Sequence, residues 1–149
     1  MQASTAVSKD TISLLKECNS GIKMGVDSID DVIDSVNRDK LKSILNYSKD
    51  RHSELGNRTH VLLNKYGCDE KDPHPVAKVM SHTKTAFKLT ANPSDSTIAD
   101  LMTEGSNMGI KSLNKYLNQY SNADDDVVNL THELIAIEQE LVKELEAYL

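Results

Sequence analysis

His52 is the residue of this chain whose type and position could support metal chemistry. It lies in the stretch from Leu41 to Tyr66, whose pattern predicts one long helix. One stripe of that helix recurs at alternating steps of four and three residues: Leu41, Leu45, Ser48, His52, Leu55, Thr59, Leu62 and Tyr66. The stripe is apolar at both ends and polar at Ser48, His52 and Thr59. Bundles that hold metal ions do so at such a polar level, between facing helices.

A di-iron carboxylate site is the sharpest hypothesis for this level. Such a site takes a Glu from each of two helices and a Glu-x-x-His from each of the other two. At the height of His52, the first and third long helices offer residues such as Met24 and Met108 and no carboxylate. Lys49 stands where the motif of His52 requires Glu, and the last helix has no Glu-x-x-His. Only His52 and Glu138 remain as ligands of a degenerate metal or redox site.

A structural role is the competing hypothesis for the same two residues. As a buried histidine, His52 would hydrogen-bond to Ser48 or to a facing backbone carbonyl, because buried polar groups need partners. Glu138 lies beside the stripe of its helix, which predicts a flanking charge. We favour this hypothesis, so the sequence predicts no catalytic, cofactor-binding or metal-ligating residue and no cofactor.

Two further clusters of metal-binding residue types are predicted to be solvated surface. The first lies at one end of the bundle, and its members fall off the core stripes: Glu17, His60, His132 and Glu133. The second is a loop that lacks the ligand spacing of an EF-hand: Asp69, Glu70, Asp72 and His74. Cys18 falls on an apolar helix face and is predicted to be a small core residue.

Four long helices and one short helix are needed to position these residues. The predicted ranges are 11–37, 39–66, 75–89, 96–121 and 123–148, within a single domain over 1–149. Ser8 or Asp10 is expected to cap the first helix, Gly67 to end the second, and Asn122 to cap the last. The buried stripe of the third long helix is predicted to be Ile98, Leu101, Gly105, Met108 or Gly109, Ser112, Tyr116 and Tyr120.

The lengths of the connections predict the topology. A link at about 37–39 is short enough to force an antiparallel hairpin. The segment 75–89 is long enough to travel along the bundle, which makes the second and third long helices parallel. The predicted fold is therefore an all-α, ferritin-like four-helix bundle of two antiparallel hairpins with an extra short crossover helix. That helix could cover the bundle or dock on a second copy.

Glycines repeat in equivalent helices of the two hairpins. Gly21 and Gly25 are spaced like Gly105 and Gly109, and Gly-Ile-Lys occurs in both helices. Each glycine inside a helix costs up to ~1 kcal/mol relative to alanine. The pattern indicates a duplicated hairpin, and it predicts either close helix contact or a cavity that could hold a small molecule.

Charge and composition exclude several functions. The chain of 149 residues carries a net charge of −6 and has a pI near 5.3, which argues against binding nucleic acid or an anionic membrane. No apolar run is long enough to cross a membrane, and the first ten residues, which have no apolar core, are not expected to form a signal peptide. Cys18 and Cys68 are expected to be free thiols, which suits a cytoplasmic location.

Parts of the chain resemble small bacterial ferritin-like proteins of a domain-of-unknown-function family. The resemblance extends from about Ile12 to Tyr120. It rests on Leu14-Leu-Lys-Glu-Cys-Asn-Ser-Gly21, Leu62-Leu-Asn-Lys-Tyr-Gly67, the His/Pro-containing crossover and the stretch from Glu104 to Tyr116. It implies a ferritin-like fold and leaves the activity open. We expect a non-enzymatic structural, stress-related or protein-interaction role with a homo-oligomer or protein partner; the alternatives are the degenerate metal site and the small-molecule cavity.

Overall fold

The protein is an all-helical four-helix bundle. A computed structural model describes residues 7–68 and 93–149, and every regular element in those two ranges is a helix. The four long helices are α1 (Lys9–Val32), α2 (Asp39–Lys65), α3 (Asp95–Gln119) and α4 (Asp125–Leu145). Short 3₁₀ helices extend α1 over Ile33–Ser35 and α4 over Glu146–Tyr148. The short helix predicted at 75–89 lies outside the described residues.

Local sequence signals account for the ends of α1 and α2. The Ser8 side chain accepts a hydrogen bond from the backbone N–H of Thr11, which confirms it as the N-cap of α1. Gly67 has a φ of 71° and ends α2 as predicted. The backbone N–H of Cys68 donates to the carbonyl of Leu63, and that of Gly67 to Asn64, so two terminal carbonyls are satisfied.

The core contacts fix the direction of each helix. Ile98 near the start of α3 packs in one cluster with Leu41 near the start of α2, and with Ile29 and Leu141 near the ends of α1 and α4. Helices α2 and α3 therefore run in the same direction, as the connection lengths predicted. The most extensive packing is within the two hairpins, α1 with α2 and α3 with α4.

Each hairpin link is hydrogen-bonded to the start of the other hairpin. The carboxylate of Asp95, in the first turn of α3, accepts from the backbone N–H groups of Asn37 and Arg38 at 2.8 and 3.0 Å. At the opposite end of the bundle, Asp10 accepts from the backbone N–H of Asn122 at 3.0 Å. Asn122 was predicted to cap the last helix, but Asp124 holds that position because the backbone of Asn122 is turned towards α1.

The face that α3 buries differs from the predicted one. The buried residues of α3 are Asp95, Ile98, Ala99, Met102, Ser106 and Leu113. Of the predicted stripe only Ile98 is buried; the other positions are half-buried, except Met108, which is 47% exposed. The reason is that the predicted face borders a cavity instead of a packed neighbour.

Both cysteines are free thiols, as predicted. The Sγ of Cys18 is buried 3.1 Å from the Thr131 hydroxyl, and burial raises the pKa of the thiol to about 12. Within 7–68 and 93–149, none of the helices is both long enough and apolar enough to cross a bilayer.

Candidate functional site

A cavity of about 290 Å³ lies between α1 and α3. Helix α1 contributes one wall, from Glu17 to Ile29, and α3 the other, from Leu101 to Tyr116. Leu134, Glu138 and Leu141 of α4 lie against the cavity, and His52 reaches it from α2. All four glycines of the repeated pattern line it: Gly21, Gly25, Gly105 and Gly109. The glycine pattern of the two hairpins therefore corresponds to a cavity rather than to close contact along its whole length.

The four glycines leave different amounts of room. A Cβ on Gly105 would meet no heavy atom within 4 Å, and one on Gly21 would meet Leu134 at 3.8 Å. A Cβ on Gly25 would lie 2.8 Å from the imidazole ring of His52, closer than real contacts allow. Gly25 is therefore required for the position of His52, whereas Gly105 borders open space.

His52 and Glu138 form a pair at the middle of the cavity. The Nε2 of His52 is 2.5 Å from Oε1 of Glu138, and its Nδ1 is 2.7 Å from the Ser48 carbonyl oxygen. The side chains of His52 and Glu138 are only 1% and 12% exposed. The hydrogen bond of His52 to Ser48 was predicted; Glu138 was predicted to be a flanking charge, and this is wrong because its position faces α2 and the cavity.

The contacts of His52 favour its charged form. A carbonyl oxygen can only accept a hydrogen bond, so Nδ1 carries a proton; Nε2 faces a carboxylate and carries one as well. Burial lowers the pKa of His52, but the hydrogen bond and charge of Glu138 and the Ser48 carbonyl outweigh it, so the pKa is raised. The arrangement is a buried imidazolium–carboxylate pair.

Glu17 lies at the opposite end of the cavity from Ile29 and Leu101. It was predicted to point into solvent, and this is wrong: Glu17 is only 7% exposed and lines the cavity beside Tyr116. Burial raises the pKa of Glu17 to about 7. Its charge in turn raises the pKa of Tyr116, after the larger effect of burial. The sequence did contain a signal, because Glu17 continues the row of Gly21 and Gly25 at a spacing of four.

The other members of the predicted surface cluster do not join Glu17 in the cavity. His132 and Glu133 are exposed, and Glu133 forms a bidentate ion pair with Arg58. His60 is half-buried and is absent from the cavity lining. The acidic loop of Asp69, Glu70, Asp72 and His74 lies outside the described residues.

The cavity does not match the ligand pattern of a di-iron centre. Among the described residues that line it, the acidic and histidine residues are Glu17, His52 and Glu138. Across the described part of the chain, no group of three histidine, cysteine or acidic residues is close enough to hold one metal ion. Apart from Tyr116, the other described lining residues are apolar or small, with three methionines and no lysine or arginine.

The fold and the cavity together define a four-helix bundle with a partly open cavity between α1 and α3. A DUF305 fragment from Deinococcus radiodurans, known from its crystal structure, has a similar fold, with a TM-score of 0.73 over 95% of both chains. The two sequences are 10% identical, so the similarity shows the fold alone. No family model and no curated protein matches the chain.

Proposed function

We propose that this protein is a non-enzymatic binding protein that holds a small, mainly apolar molecule between α1 and α3. The observation that carries the proposal is the cavity bordered by the paired glycines of both hairpins. Binding sites for small molecules are concave and mostly apolar with a few fixed polar groups, and they usually exceed about 300 Å³. At about 290 Å³ this cavity lies just below the lower limit of that range.

The glycines that line the cavity support a binding role because they leave space that larger side chains would fill. Protein interiors are normally packed as densely as organic crystals. Each helical glycine costs up to ~1 kcal/mol relative to alanine, and a Cβ at Gly105 would meet no neighbour. Gly105 therefore lowers helix stability without relieving a contact, which is the expected cost of keeping room for another molecule.

The proposal includes a ferritin-like topology for the bundle. The parallel directions of α2 and α3 support this topology. A structural or stress-related role with a second copy or a protein partner is compatible with the exposed side chains of Met108 and Val61, which are 47% and 67% exposed.

A neutral fluorescent probe tests the proposal. N-phenyl-1-naphthylamine should bind the protein with increased emission, at one equivalent per chain. Gly105→Leu should abolish this signal because the new side chain enters the cavity. Asn107→Leu, which adds the same side chain at an exposed position of α3, is the matched control and should bind normally. Equal binding by both variants would refute the proposed site, provided both keep the wild-type helix content.

A metal or redox role at His52 and Glu138 is the second candidate. The observation in its favour is that Nδ1 of His52 is held by the Ser48 carbonyl while Nε2 and Glu138 meet at the cavity, an orientation common among metal-binding histidines. Elemental analysis of untagged protein before and after incubation with ferrous iron tests it. Stoichiometric iron that is lost in His52→Ala would support this role over the structural one.

A further inference from the structure

We propose that the cavity binds a neutral molecule with a hydroxyl group near its middle, and that this hydroxyl donates a hydrogen bond to Oε2 of Glu138. The two apolar arms of the molecule extend in opposite directions between α1 and α3. This inference rests on the proposed function and specifies the chemical class of the ligand as a secondary alcohol. Two observations support it: the hydrogen bonding of Glu138 and a sequence repeat that lines both walls of the cavity.

Glu138 presents one carboxylate oxygen to the cavity. Its Oε1 is 2.5 Å from Nε2 of His52, whereas Oε2 has no hydrogen-bond partner among residues 7–68 and 93–149. A Cβ on Gly109 would lie 3.7 Å from Oε2, and both Glu138 and Gly109 line the cavity. A bound molecule can therefore approach Oε2 at a point where glycine leaves room for it. Because a carboxylate oxygen accepts hydrogen bonds and cannot donate them, that molecule must supply the donor.

The pairing of Glu138 with His52 favours a neutral donor over a cation. The imidazolium and the carboxylate compensate each other at a separation of 2.5 Å. An ammonium group at Oε2 would be a third charge beside a balanced pair, and burying an uncompensated charge is costly. A hydroxyl group supplies the missing hydrogen bond without adding a charge.

A nine-residue repeat lines the two long walls of the cavity. Residues 21–29 of α1 and 105–113 of α3 share the pattern Gly-x-x-Met-Gly-x-x-Ser, followed by Ile or Leu. All ten residues of the shared pattern line the cavity: Gly21, Met24, Gly25, Ser28 and Ile29 on α1, and Gly105, Met108, Gly109, Ser112 and Leu113 on α3. Both walls therefore present the same order of small and apolar groups.

The two copies of the repeat run in opposite directions and cross at the ion pair. The end of α1 packs through Ile29 against the start of α3, so the two helices are antiparallel. The central glycine of each copy lies at the pair, Gly25 against His52 and Gly109 against Glu138. A molecule held at Oε2 therefore meets similar side chains on either side, which suits two apolar arms of similar length.

Nonan-5-ol and nonan-5-one test the hydrogen bond, because they share one carbon skeleton and only the alcohol can donate. Each is titrated against bound N-phenyl-1-naphthylamine at pH 7, below its solubility limit. Nonan-5-ol should displace the probe at concentrations at least about tenfold lower than nonan-5-one, since a hydrogen bond to a charged group contributes that much or more. Nonan-1-ol, whose hydroxyl is at one end of the chain, should require higher concentrations than nonan-5-ol.

Glu138→Gln tests whether Glu138 is the acceptor. The amide oxygen of the new side chain can still accept from His52, which leaves its NH₂ group at the position of Oε2. That group donates to the ketone as well as to the alcohol, so the two compounds should displace the probe within about twofold of each other. Glu104→Gln, at an exposed position of α3, is the control and should keep the preference for the alcohol.

The outcomes separate this inference from the proposed function. If the probe binds and the alcohol and ketone displace it equally, or if the preference for the alcohol survives in Glu138→Gln, the hydroxyl site is refuted while the cavity remains a binding site. Equal displacement by nonan-1-ol and nonan-5-ol would refute the central position of the hydroxyl. If the probe does not bind, the proposed function fails, and the ligand class fails with it. The comparison of alcohol and ketone on the wild-type protein decides the inference even where Glu138→Gln does not fold.

Discussion

Neutralising Glu17 is expected to stabilise the protein, and by an amount that depends on pH. The carboxyl has an ordinary pKa of 4.5 and a pKa of about 7 in the fold, because burial disfavours its charged form. The folded protein therefore binds this proton more tightly than the unfolded chain. Below pH 4.5 both states hold the proton and the burial costs nothing electrostatic. Stability is lost as the pH rises from about 4.5 to about 7, and no more is lost above that.

The raised pKa of Glu17 sets the size of the change in the free energy of unfolding. About 2.5 pKa units at 1.36 kcal/mol each give roughly 3 kcal/mol as the upper limit above pH 8. Screening by the solvent that enters the open side of the cavity reduces this to about 1–2 kcal/mol. Glu17→Gln keeps the shape of the side chain and removes the charge, so it should recover that amount. For a chain of this size, the gain corresponds to a rise of about 2–8 °C in Tm.

Thermal unfolding followed by circular dichroism at pH 4 and pH 8.5 measures the change in Tm. The Tm of Glu17→Gln should exceed that of the wild type at pH 8.5 and equal it within about 1 °C at pH 4. Titration of His52 also lowers stability as the pH rises, but it occurs in both proteins and cancels in the difference. Glu104→Gln, an exposed glutamate on α3, is the control and should show no difference at either pH. A Glu17→Gln difference of the same size at both pH values would show that Glu17 is not buried in the cavity wall.

Four further measurements test the packing of the bundle. Gly25→Ala should lower the free energy of unfolding by about 1–3 kcal/mol in urea denaturation, because its Cβ would lie 2.8 Å from the His52 ring. Gly21→Ala, whose Cβ has its nearest neighbour at 3.8 Å, should raise it by up to ~1 kcal/mol. Asp95→Ala should lower it by about 1–3 kcal/mol, because two backbone amides of the α1–α2 link lose their acceptor. Cys18 should stay unmodified by a thiol reagent at pH 8 until urea unfolds the protein, since its pKa is about 12.

Each of these expectations has a contrary result. Equal effects of alanine at Gly25 and Gly21 would contradict the close contact with His52. Unchanged stability of Asp95→Ala would show that the link amides are satisfied by water. Rapid modification of both thiols in the folded protein would place Cys18 outside the core.

The sequence was most informative where the core is continuous. The stripe of α2 was predicted with His52 at its centre, and His52 is buried there. Leu130, Leu134, Ile137, Leu141 and Leu145 recur at helical spacing along α4, and all five are buried. Large aliphatic residues at helical spacing have one stable solution, which is to pack against other helices. The short link between α1 and α2 predicted that Met24 lies opposite His52. In the structure the residue that faces His52 is Gly25, which follows Met24 in the chain.

The sequence misled where a helix borders empty space. Gly105, Ser112 and Tyr116 were assigned to the core of α3, yet they line the cavity. Glycine has no side chain whose polarity indicates a buried or an exposed face. The spacing of glycines along a helix therefore does not predict whether another helix or a cavity lies opposite them. Glu17 and Glu138 were misassigned for a related reason: a carboxylate beside an apolar stripe is usually solvated, and only the cavity makes room for it.

The middle of the bundle shows why the binding role is preferred over the metal role. Helices α2 and α4 occupy equivalent positions in the two hairpins, and in a di-iron bundle each would present similar ligands to a shared metal. Here α2 presents an imidazole and α4 a carboxylate, so the two side chains satisfy each other directly. A metal ion would have to displace the proton on Nε2 of His52, whose pKa is raised by the same contact. Metal binding therefore competes with this ion pair, which lies beside Gly25 in the wall of the cavity.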